Sequence, residues 1–167
     1  TREEDVSEFI GICRELYNEY EWIYPLVKES LLKRYYRLFP RPVFKMLPDN
    51  IFPDDYIDEK EIREDGRVGF RITSMAFVNL ENLPAERIDE AYNLRKLYRK
   101  SSRDNVKKIL GKKVIRRYRQ GMRMSELEKI LSDYEGLRLK FVGLSGAGTS
   151  LDLDSRRDEK KFSKLRL

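Results

Sequence analysis

Pro25-Leu26-Val27-Lys28-Glu29-Ser30-Leu31-Leu32 puts a proline where a helix tolerates one, in its first turn. Leu26, Val27, Leu31, Leu32 and Tyr35 then supply the apolar side of that helix, and Pro40 and Pro42 forbid its continuation. Before it, Val6, Phe9, Ile10, Cys13, Leu16, Tyr17 and Tyr20 recur at three- and four-residue steps, the stripe of an amphipathic helix. Thr1 and Glu4 fit a capping box at its start, where Glu3, Glu4 and Asp5 suit the positive end of the helix dipole. Two consecutive helices are therefore expected before residue 40.

Farther along, residues 48–66 carry loop chemistry with a run of acids, and Asp65-Gly66 is a turn leading into Val68, Phe70 and Ile72. Their alternation reads as a short strand of a hairpin near 60–73. Ile72, Met75, Ala76 and Val78 suit a helix equally well. A third helix is expected from Leu83-Pro84 through Ile88, Ala91, Tyr92 and Leu94. A fourth follows Ser101-Ser102, with Val106, Ile109, Leu110, Val114 and Tyr118 as its stripe. Ser125 and Glu128 form the capping box of a short helix closed by Gly136. Leu137, Leu139 and Phe141 alternate with charged residues as an extended piece, and 145–167 reads as a Gly/Ser-rich and charged tail. The expected class is mostly α: one helical domain over 1–144, with that hairpin and tail attached.

Charge is polarised along the chain. Between Arg95 and Arg123 there are thirteen cationic side chains and one acid, Asp104, a local charge of +12 in a chain of net charge +6. The remainder therefore sums to −6, and the basic arm at 95–123 calls for an anionic neighbour: nucleic-acid phosphate, a lipid surface or an acidic protein. The residues read as contacting it are Arg95, Lys96, Arg99, Lys107, Lys108, Lys112, Lys113, Arg116, Arg117 and Arg119. Tyr98 and Tyr118 lie within the arm, where base stacking and core packing are both open to them.

A second patch, Lys33 to Lys45 preceded by Trp22 and Tyr24, mixes rings with cations. That composition fits a membrane-interface surface or a protein interface, through Trp22, Tyr24, Tyr35, Tyr36, Arg37 and Phe39.

Catalytic chemistry is thinly represented. The 167 residues contain no histidine and a single cysteine, so neither a disulfide nor a Cys/His zinc site can be assembled within the chain. Cys13 on a helix stripe reads as a small buried hydrophobe. Gly143-Leu-Ser-Gly-Ala-Gly148-Thr149 has the glycine spacing of a phosphate-cradling loop but Thr149 where the lysine belongs, and reads as a connector. Asp54-Asp55 and the Asp152, Asp154 pair read as solvated acids. No metal or cofactor is expected, and no reaction can be named. No stretch approaches the ~18 apolar residues of a membrane span, and the acidic start does not resemble a signal peptide.

Phe44-Lys-Met-Leu47-Pro48-Asp49-Asn50-Ile51-Phe52, then Arg67-Val-Gly-Phe70-Arg71-Ile72, then Leu83-Pro84-Ala-Glu86 resemble the order of segments in the small matrix-side, ubiquinone-binding-protein subunit family of respiratory complex III. The resemblance covers residues 44–90. It implies a helical, non-catalytic subunit packed against cytochrome b on the matrix side of the mitochondrial inner membrane, docking around Leu47 and Arg71. The expected function is accordingly an accessory subunit of a respiratory-chain assembly, with protein subunits and an anionic lipid surface as partners. The alternative is a nucleic-acid-binding ribosomal or replication accessory factor using the basic arm.

Overall fold

The computed structural model describes residues 2–32, 43–49, 52, 56–73, 75–81, 83, 85–89 and 103–148, with the backbone course alone at 2 and 103–110. Its centre is a five-stranded mixed sheet, not a helical bundle. In chain order the elements are α1 (Arg2–Leu16), β1 (Trp22–Lys28), α2 (Glu29–Leu32), β2 (Phe44–Met46), β3 (Val68–Ile72), β4 (Phe77–Val78), α3 (Arg103–Gly121), α4 (Met124–Glu135) and β5 (Leu139–Gly143). The mostly helical expectation is thus corrected to α/β. Residues 85–89 are helical, within the span expected for a third helix, and the rest of that span from 90 to 94 lies outside the described residues.

The correction turns on β1. Pro25 opens no helix but sits in mid-strand, and only Glu29–Leu32 is helical. Trp22, Ile23, Pro25, Leu26 and Val27 are all buried because β1 is the central strand and is covered on both faces. Such a strand loses its two-residue alternation, so its apolar run passes for one side of a helix.

Pro25 is tolerated by a slip in the ladder. Along one edge β1 pairs antiparallel with β3 (Leu26↔Ile72) and then with β4 (Ile23↔Phe77). Three steps on β1 thus face five on the other strand. Thr73 donates to the Pro25 carbonyl at 3.1 Å just where the slip begins, and its hydroxyl accepts from the Met75 N–H at 3.2 Å. The donor that proline lacks is therefore absent where the ladder is already broken. Along its other edge β1 pairs in parallel with β5, from Trp22↔Leu139 to Leu26↔Gly143.

The two faces carry separate cores. Leu26, Met46, Val68, Phe70, Leu139 and Phe141 meet Met122, Met124 and Leu127 beneath α4. Ile23, Val27, Val142 and Leu144 meet Phe9 and Cys13 of α1 on the other side. The α1 stripe therefore packs as its spacing foretells, except that Ile10 is turned outward. Burial pushes the Cys13 thiol up to about 11, as befits a packed thiol rather than a reactive one.

The α3–α4 unit caps two of the sheet's edge strands, β2 and β5. At the β2 edge, the Lys45 N–H donates to the Tyr118 hydroxyl (3.0 Å) and the Leu47 N–H to the Met122 carbonyl (2.9 Å). At the β5 edge, the Leu139 N–H donates to Ser132 Oγ (3.1 Å) and the Phe141 N–H to Glu128 Oε1 (2.6 Å). Ser132 and Glu128 lie four apart on one helix face, about 6 Å along the axis. Alternate strand N–H groups lie about 6.6 Å apart, so one helical turn matches one strand repeat. Exposed edges invite pairing with other chains, and this one is covered. Glu128 is thus an edge cap, while the capping-box role falls to Glu126, which accepts from the Arg123 N–H at 3.0 Å. Gly136 ends α4 in the left-handed conformation at φ 64°, in keeping with the spacing.

Burial raises the Glu128 carboxyl, outweighing the opposing pull of the Phe141 N–H and Lys140. The native state therefore keeps that proton to higher pH than the unfolded chain. Stability from this group falls as pH rises from the ordinary carboxyl range through the raised value. Urea unfolding of Glu128→Gln, which keeps an acceptor, should lack that slope. Glu128→Ala leaves the Phe141 N–H unpaired and should cost about 1–3 kcal/mol.

No helix among the described residues is long and apolar enough to cross a membrane.

Candidate anion-binding face

Helix α3 is broken at Gly111, whose φ of 77° and ψ of 160° belong to a region that side-chain-bearing residues avoid. The segment after the break, 112–121, presents the candidate site. At 100° per residue Lys112, Arg116 and Arg119 fall within about 60° of one another, and Lys113 and Arg117 widen the arc to about 160°. All five are exposed. Val114 and Tyr118 point the opposite way and pack against the core, which fixes the orientation of the charged arc.

Few carboxylates answer this charge. Arg117 makes a two-pronged pair with Glu126, 3.0 Å at each oxygen, and these bonds together with the Arg123 N–H hold the Glu126 carboxyl below its usual range. Among the described residues no carboxylate pairs with Lys112, Lys113, Arg116 or Arg119. Arg67 adds a cation at the end of the helix, donating to the Arg119 carbonyl at 2.7 Å, where the dipole favours it. Lys112 and Lys113 occupy the first turn after the break, so their charge adds to the positive end of the 112–121 dipole instead of cancelling it.

Of the sequence-derived contacts, Arg95, Lys96 and Arg99 lie outside the described residues. Lys107 and Lys108 lie on the backbone-only part of α3. The structure brings together Lys112, Lys113, Arg116, Arg117 and Arg119. Trp22 and Arg71, read as interface residues, are buried in the sheet at 7% and 6% exposure. Tyr24 is half-buried beside Phe141, with ring centroids 6.1 Å apart. Leu47 is half-buried over Gly121. Tyr35, Tyr36, Arg37 and Phe39 lie outside the described residues. Sequence reasoning missed Arg67, which no spacing links to the arm and which only the path of the chain brings to it.

Two other constellations are internally satisfied. At the end of β1, Lys28 donates to Glu61 at 2.9 Å and to the Tyr56 carbonyl, and Ser30 donates to the same carboxylate. Although burial opposes it, the bonds from Ser30 and Lys28 leave Glu61 below the usual carboxyl range, a poor base for activating Ser30.

The glycine-rich loop does cradle anions, but they are the chain's own. The Ser145 N–H and hydroxyl donate to Glu8 (3.1 and 2.7 Å), and the Gly148 N–H donates to Asp5. A Cβ at Gly146 would overlap the Asp5 carboxylate, so the close approach needs glycine. The first residues of the expected tail are therefore docked on α1. Among the described residues no three acids or thiols are grouped so as to hold a metal ion.

No family model matches this sequence, and no curated protein does. Among solved structures, a Thermus thermophilus protein described as a hypothetical transferase has the same fold. The TM-score is 0.61 at 14% identity, over 90% of this chain and 56% of that one. The chain thus spans little more than half of that protein, and at such identity the likeness is one of fold. The expectation of a non-catalytic accessory subunit gives way here. Its helical architecture is absent, and the sheet-based fold that replaces it is shared with a protein described as an enzyme.

Proposed function

We propose that this chain is the substrate-engaging part of a group-transfer enzyme, and that it holds a nucleic-acid substrate by its phosphates along the exposed face of α3. The observation that carries this reading is the arc of Lys112, Lys113, Arg116 and Arg119, which has no carboxylate partner among the described residues. Like charges held this close repel one another, and phosphates relieve that repulsion while releasing the counterions condensed on the polymer.

A lipid surface suits the arc less well. Interfacial helices bury an apolar face in the membrane, and here Val114 and Tyr118 are already packed on the sheet. The enzyme half of the proposal is supported by the shared fold with the hypothetical transferase. The transfer step itself is assigned to no described residue.

Salt dependence tests the electrostatic half. Four phosphate contacts on a single strand give a slope of log affinity against log salt of about −2.8, at roughly −0.7 per contact. Fluorescence anisotropy with a labelled oligonucleotide should show that dependence. A flat response, or no binding in low salt, would sink the proposal.

A further inference from the structure

Gly111 breaks a helix whose sequence period does not break. Val106, Leu110, Val114 and Tyr118 follow one another at steps of four through the glycine, and the backbone is helical on both sides of it. Only the glycine leaves the helix, at φ 77° and ψ 160°. A Cβ built on it would meet nothing within 4 Å, so no neighbour packed on the glycine holds the break. The interruption therefore rests on the conformational freedom of one residue, and a small bias is enough to close it.

The charges supply that bias, with opposite signs in the free and bound states. In a continuous helix the 100° step sets Lys108 about 40° from Lys112, and Lys108, Lys112, Arg116 and Arg119 form one row about 16 Å long. Like charges four residues apart destabilise a helix, and the break takes Lys108 and Lys112 out of that spacing. An anionic strand along the row reverses the balance, because it relieves the repulsion and gains a contact with Lys108. Closing the break gives up the half charge at the start of 112–121, but a whole cation joins the row in exchange. We infer that Gly111 is a hinge, and that a bound nucleic-acid strand closes α3 into one helix and so brings Lys108 onto the phosphates. This deepens the proposed function and rests on it. The strand binds the continuous helix more tightly than the broken one, and thereby selects it.

The test uses the full chain and a labelled U-rich single strand. A fifth phosphate contact steepens the slope of log affinity against log salt to about −3.5, and Lys108→Ala should return it to about −2.8, at roughly −0.7 per contact. Gly111→Ala disfavours the broken backbone and favours the helix, so it should tighten binding about fivefold at an unchanged slope. Spin labels carried by the pair Asn105→Cys and Gln120→Cys read the hinge directly, since the buried Cys13 takes none. The oligonucleotide should move their separation to the continuous-helix value, a backbone span of about 22 Å. Gly111→Ala should hold it there before the strand is added.

A label separation that the strand leaves unchanged, a Gly111→Ala variant that binds no tighter than the parent, or a slope that Lys108→Ala does not alter overturns the inference. The distance measurement needs no substitution at the hinge, so it decides the matter even if Gly111→Ala folds poorly. If the parent binds with a slope near −2.8 (about four contacts) and an unchanged separation, the hinge alone is removed and the four phosphate contacts stand. If the parent does not bind the strand, the proposed function fails first.

Discussion

Replacing Lys112, Lys113 and Arg116 together by alanine should lower affinity for a single-stranded oligonucleotide about a hundredfold near 0.1 M salt. The magnitude follows from counterion release. Each neutralised phosphate contributes roughly −0.7 to the slope, so at about 0.1 M salt each lost contact removes about 0.7 of a decade. Three lost contacts remove about two decades and flatten the slope by about 2. Fold stability should be unchanged or slightly raised, because these side chains have no carboxylate partners among the described residues and their mutual repulsion is relieved. That pairing of outcomes separates a binding face from a structural one. Arg117→Ala should behave differently: it breaks the pair with Glu126 and so shows a stability cost, with a smaller effect on binding. If the triple variant bound as the parent does, the α3 face would not be the contact surface.

Gly143→Ala should be the most damaging single substitution to the fold. Gly143 lies opposite Leu26 in the β1–β5 ladder, and a Cβ there would overlap the ring of Tyr56. The ring has nowhere to go. It stacks on Phe52 at 4.9 Å between centroids, with the Lys28 ammonium 4.8 Å from its centroid. Its hydroxyl reaches the carbonyls of Leu26 (3.4 Å) and Leu144 (3.3 Å), on the two paired strands. Burial also pushes the Tyr56 hydroxyl well above its usual range, so it remains a neutral donor. Overpacking a core typically costs 1–3 kcal/mol, and a ring stacked and bonded on several sides should place this variant at about 3 kcal/mol. Chemical denaturation measures the loss. In the double variant with Tyr56→Ala the clash disappears, so the combined cost should be well below the sum of the two single costs.

The candidate site was more legible in the sequence than the fold was. Run-lengths of like charge need no tertiary information, and Lys112, Lys113, Arg116 and Arg119 are neighbours by helical period alone. What that period could not supply was Arg67, which arrives from the turn just before β3. The acid at Glu128 was legible as a helix-start signal and proved to cap a strand edge, because its true partner, the Phe141 N–H, is thirteen residues away on another element. The glycine loop, read as a connector despite its cradle-like spacing, does hold anions, and they are carboxylates supplied by a helix at the other end of the chain.

Local order followed directly from the residues wherever apolar residues alternate with small or charged ones at the period of the element itself. The α1 stripe, the alternation of Val68, Phe70 and Ile72, the Leu139 and Phe141 pair, and the Gly136 stop all appear where their spacing puts them. Trp22–Lys28 could not be read this way. Enclosed by helices on both faces and strands on both edges, it carries no wet side to mark its period, and its proline looks like a helix start. Whether that run became a helix or the central strand was decided by long-range pairing with residues 68–78 and 139–143. Burial of an apolar run on both sides is a property of the assembled layers, and no local pattern of side chains encodes it.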